Sequence, residues 1–133
     1  MKQITTEWLK SAKDDLMVME EIVTKEHLTN IVAFHAQQAI EKSFKAVLEE
    51  KEKNIPKVHD LLNLYNRVKD EIDLELDEEY IRKLNELYID SRYPSEMGLL
   101  PNGKPSVVDA KAFYDFAQFV FNTVNMRLIQ PLD

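Results

Sequence analysis

The chain has 133 residues, 44% of them apolar and 31% charged, with a formal net charge of −7 and no cysteine. That balance describes one globular domain able to bury a real core, and it removes disulfides, thiolate chemistry and cysteine-based metal sites together. The acidic surplus argues against a surface broadly built for nucleic-acid phosphates, while leaving room for a local basic pocket assembled in three dimensions.

The start MKQITTEWLK is no signal peptide, and no apolar run approaches the roughly 18 residues of a membrane span. The expectation is a cytoplasmic chain with no membrane partner. Two glycines in the whole sequence favour long helices over many short strands. A first helix is predicted over residues 7–24, with Thr6 as N-cap and Trp8, Ala12, Leu16 (with Asp15 beside it), Met19 and Ile22 or Val23 as its apolar stripe. Trp8 reads as a core or interface anchor, and His27 as a solvated residue in the link that follows.

The stretch 31–48, IVAFHAQQAIEKSFKAVL, organises the rest. Ile40, Phe44, Val47 and Leu48 form a wide stripe, and Ala33, Ala36, Ser43 and Ala46 form a ridge of small residues that lets neighbours approach closely. Such a helix belongs at the centre of a bundle. Its polar edge carries His35, Gln38, Lys42 and Lys45 in line. That edge is either a solvated stripe, with Glu41 and Lys45 as a helical ion pair, or one wall of a polar cleft.

Pro56 breaks the chain, and a third helix is predicted over 58–72 with Leu61, Leu62, Leu64, Tyr65 and Val68 inward. His59 stands at its start, as a cap or as a proton carrier or anion contact at a cleft mouth. A fourth helix, 78–92, begins at the N-cap Asp77, buries Ile81, Leu84, Leu87, Tyr88 and Ser91, and stops before Pro94. Arg92 in its last turn complements the helix dipole, or presents a guanidinium at a cleft rim beside Asp90 and Tyr93. Residues 94–105 read as an ordered loop or small irregular hairpin around Asn102-Gly103.

The last helix, 107–129, is capped by Ser106 with Asp109 three residues on. Ala110, Phe113, Ala117, Val120, Val124 and Leu128 make its core stripe. Phe116, Phe119 and Phe121 widen the apolar surface, which suggests a partner, a second copy of the chain first of all. Met126 is assigned to packing. Five helices with short links predict an all-α, antiparallel up-and-down bundle in a single domain spanning 1–133.

None of the three histidines follows a glutamate by three residues, and no His-Glu-x-x-His, Walker, Rossmann or Gly-x-Ser-x-Gly pattern occurs. No metal and no cofactor are expected.

The landmarks in order are WLKSAKDDL from Trp8, FHAQQA from Phe34 with Glu41, Lys42 and Lys45, then His59-Asp60-Leu61, and Ser91-Arg92-Tyr93-Pro94. This sequence resembles the HEPN domain along nearly its whole length. The resemblance implies a five-helix bundle, a homodimer, a polar cleft for a nucleotide or RNA, and a minimal nucleotidyltransferase as partner. Some members are ribonucleases using an arginine followed four to six residues later by a histidine. Here the last histidine, His59, precedes the first arginine, Arg67, so that motif is absent and no catalytic residue is assigned. His35, Lys42, Lys45, His59, Asp90, Arg92 and Tyr93 are the candidate lining residues. The expectation is a non-catalytic accessory protein; the alternatives are a metal-independent ribonuclease using His59 with Arg92, or a purely structural interaction module.

Overall fold

The computed structural model describes residues 1–92 and 104–129, with side chains up to residue 87 in the first stretch. Five α-helices follow one another: α1 (Gln3–Ile22), α2 (Thr29–Glu50), α3 (Leu61–Val68), α4 (Glu78–Arg92) and α5 (Val107–Ile129), with a 3₁₀ turn (Glu26–Leu28) before α2. They form an antiparallel helical bundle, and the described residues contain no strand. No helix among them is long and apolar enough to cross a membrane.

The middle helix packs against all four others. Its small residues Ala33, Ala36, Ser43 and Ala46 are wholly buried, as a close-approach ridge requires. Ile40, Phe44 and Val47 fill the core beside them.

The first helix begins earlier than its sequence suggests. Lys2 occupies the N-cap, and the Thr6 hydroxyl merely donates to the Lys2 carbonyl at 3.3 Å. The capping is done from a distance: Glu50, at the end of α2, accepts from the Lys2 N–H at 2.9 Å and from the Thr5 hydroxyl at 3.0 Å. The Lys2 N–H, more than any other group, holds the Glu50 carboxyl below its usual range. A local reading looks for the cap in the first turn and misses this partner. Leu9 joins Ala12, Leu16 and Met19 in the core, while Trp8 is half-buried.

The third helix is shorter than predicted, and Asp60 rather than His59 caps it. Its carboxylate accepts from the N–H groups of Leu62 (2.9 Å) and Asn63 (3.1 Å). An ionised carboxylate serves the positive helix end better than an imidazole does. The Tyr65 hydroxyl then accepts from the Leu76 N–H at 2.8 Å and donates to the Leu74 carbonyl at 3.2 Å, fastening α3 to the turn that leads into α4.

The last two helices start where the sequence predicts. Asp77 accepts from the Glu79 N–H at 3.0 Å. Ser106 and Asp109 cap reciprocally: the hydroxyl accepts from the Asp109 N–H at 3.0 Å and the carboxylate from the Ser106 N–H at 3.3 Å. The predicted core stripe of α5 is buried throughout, and Phe121 is buried with it. Phe116 packs edge-on to Tyr80, with ring centroids 4.7 Å apart. Of the three phenylalanines expected to widen the apolar surface, only Phe119 is exposed. Met126, assigned to packing, is exposed too. The predicted turn at Asn102-Gly103 lies outside the described residues.

Candidate functional site

Polar side chains collect where α1 and α2 face each other and where the chain enters α3. Asp15 sits on the inner side of α1, in line with Trp8 and one turn beyond Ala12, and is buried. One of its oxygens meets the His35 Nδ1 at 2.8 Å and the other meets the Lys42 Nζ at 2.8 Å. An ionised carboxylate can only accept, so the Nδ1 of His35 carries the hydrogen.

Glu41, on α2 just before Lys42, anchors a second group. It takes the Lys45 Nζ at 3.0 Å, the His59 Nδ1 at 3.0 Å and the Gln37 amide at 3.0 Å. The Gln37 amide also donates to the His59 carbonyl at 3.0 Å, and the Gln37 oxygen accepts from Gln38 at 2.8 Å. Lys45 lies 5.6 Å from the centroid of the Trp8 ring, a cation–π contact back to α1. Glu41 and Lys45 are both buried, so this is a desolvated pair rather than a surface one.

Two buried carboxylates therefore organise two lysines and two histidines. Of the residues predicted to line a cleft, His35 and Lys42 converge on Asp15, and Lys45 and His59 converge on Glu41. The side chains of Asp90 and Arg92, and all of Tyr93, lie outside the described residues. The sequence shows the cationic row and the Glu41–Lys45 pair but does not assign Asp15 or Gln37 to the site. A signal for Asp15 exists: an acidic residue on the same side of the first helix as Trp8 and Ala12 needs a buried cation.

Exposure separates the members. The His35 and Lys42 side chains keep 22% of their surface and His59 keeps 52%, whereas Lys45 keeps 10%. Lys42 and the histidines are thus the groups a solute can touch. An ammonium has three donors, and the contact with Asp15 engages one of them. A shallow depression of about 150 Å³ lined by Ile4, Glu7, Trp8 and Ser11 opens at one end of the row. A larger cavity of about 650 Å³, at the start of α5, is lined by Glu26, His27, Lys104, Pro105, Ser106 and Val107 and takes in none of these residues. The described residues hold no cluster of three His, Asp or Glu side chains placed for a metal ion.

Comparison with known proteins fits this architecture. A model of the family described as HEPN domain matches residues 5–127. No curated protein sequence matches the chain. The crystal structure of TT1696 from Thermus thermophilus superposes with a TM-score of 0.78 at 22% identity, covering 95% of this chain and 99% of that one. At that identity the likeness is one of fold.

Proposed function

We propose a function from one premise: the chain belongs to the HEPN domain family, whose model matches residues 5–127. The reading is a non-catalytic accessory protein that binds a nucleotide or a nucleotidyltransferase substrate along the α2 edge. It acts as a homodimer and pairs with a separate minimal nucleotidyltransferase. One observation carries it. Lys42 and His35, both partly open to solvent, are fixed by a single buried carboxylate, so the remaining Lys42 N–H donors and the His35 ring are oriented before any ligand arrives. Side chains ordered in advance cost little entropy on binding.

Charge balance sharpens the reading. Asp15 and Glu41 offset Lys42 and Lys45, so a phosphate gains little net Coulomb energy from the pair of lysines alone. Arg92, with its fixed fork of donors, is the group proposed to bind the phosphate bidentately. Asp90 and Tyr93 complete the proposed rim. Isothermal titration with nucleoside triphosphates tests this. The wild type should bind, and both Lys42→Ala and Arg92→Ala should weaken binding by about tenfold or more, the scale of one charged hydrogen bond. Equal or absent binding in all three proteins removes the nucleotide.

A ribonuclease reading has one observation in its favour, the contact of His59 with Glu41. A carboxylate that orients an imidazole is the arrangement general acid–base catalysis uses. It requires RNA cleavage by the wild type that His59→Ala abolishes.

A further inference from the structure

Lys42 and His35 share one carboxylate but offer a ligand opposite chemistry. Asp15 takes the His35 Nδ1 at 2.8 Å with one oxygen and the Lys42 Nζ at 2.8 Å with the other. The ammonium keeps two further N–H groups, both donors. The imidazole spends its N–H on Asp15, so its other nitrogen, Nε2, holds a lone pair and accepts. The Lys42 charge balances that of Asp15, and a neutral ring completes the trio. Nε2 bonds to no described residue, and the His35 side chain keeps 22% of its surface. The ring stands at 87° to that of Phe34 with centroids 5.3 Å apart, an edge contact that joins the Asp15 bond in setting its plane.

A phosphate fits this pair poorly. Its ionised oxygens only accept, so one that reaches Lys42 sets a second lone pair against Nε2, and the Asp15–Lys42 pair has no net charge to attract it. A sugar hydroxyl or a nucleobase edge fits better, because each offers a donor beside an acceptor without charge. We propose that His35 and Lys42 form the subsite for the uncharged, nucleoside end of the ligand. His35 Nε2 accepts from a ligand O–H or N–H, and Lys42 donates to the neighbouring oxygen or ring nitrogen. The inference rests on the reading of the α2 edge as a nucleotide site and fixes which end of the nucleotide lies against this pair. His35 is then a specificity-determining residue: a ligand without the matching donor leaves Nε2 unpaired and loses affinity.

Titration calorimetry with the four ribonucleoside triphosphates and their 2′-deoxy and 3′-deoxy forms tests the assignment as a cycle between ligand and protein. In the wild type at least one of these ligand changes should cost about tenfold in affinity, the scale of a hydrogen-bonding group left unpaired. Against His35→Ala the same change should cost less than about twofold, the margin within which independent effects add. This variant exchanges one neutral side chain for another, and its helical circular dichroism should match the wild type. Lys42→Met, which keeps the apolar stem, should erase the same discrimination. Arg92→Ala should weaken every nucleotide alike and leave the discrimination intact. A hydroxyl effect identifies the sugar, and a base effect identifies the base edge. Discrimination that survives either His35→Ala or Lys42→Met, or a wild type that binds all these nucleotides equally, overturns the inference and leaves the nucleotide reading standing. A wild type that binds none of them overturns both.

Discussion

The α1–α2 edge and the outer face of α5 invert the usual distribution of polarity. At the first, Asp15, Glu41 and Lys45 are buried; at the second, Val108, Phe119, Met126 and Ile129 are in water. A buried charge and an exposed apolar row are the two departures from ordinary burial that carry information. They are also handled differently. Inside, each of these buried charges has an opposite charge within 3.0 Å. Outside, no described residue covers the row. The first region satisfies itself, and the second leaves its apolar side chains in water.

Substitutions can break or sharpen that contrast. Glu41→Ala should do the most damage, leaving the buried Lys45 ammonium without its counter-charge at about 3–5 kcal/mol by urea unfolding. Replacing both partners, with Glu41→Leu and Lys45→Met, should recover most of the loss. A Glu41→Ala protein weakened by less than about 1 kcal/mol would reduce the edge to an ordinary solvated stripe. Asp15→Ala should cost less, about 1–3 kcal/mol, because Lys42 and His35 retain some exposure and can rehydrate.

The smallest effect concerns a polar group that is buried without a mate. The Tyr80 hydroxyl has no hydrogen-bond partner among the described residues, and its ring packs against Phe113 and Phe116. Burial, followed by the nearby Asp109 and Asp115 carboxylates, pushes its phenol up from 10 to about 12. Because the folded value lies above the unfolded one, this group's stabilisation is whole below pH 10 and drains away as pH rises through 12. Spectrophotometric titration should show a late tyrosinate transition that Tyr80→Phe removes.

Much of the fold is legible in the sequence because its signals are local. Asp77 and the Ser106/Asp109 pair mark helix starts within one turn, and α4 and α5 begin where those residues place them. Where the partner is remote, the local pattern is silent. Glu50 caps α1 from 48 residues away through the Lys2 N–H, and no first-turn motif can announce it. The row of His35, Lys42 and Lys45 is visible at helical spacing, but Asp15 lies 27 residues from Lys42, and only folding brings the two together. Met126 reads as a packing residue because an apolar side chain at helical spacing looks the same whether it faces the core or water.

The middle helix, held by all four of its neighbours, has a kinetic consequence. Its amides have no local route to solvent, so those of residues 33–48 should exchange for deuterium only when the whole domain opens. The ligand proposed for its polar edge would therefore meet a surface that does not yield. Any accommodation it needs must come from the chain's periphery, and its fit is judged against a rigid template.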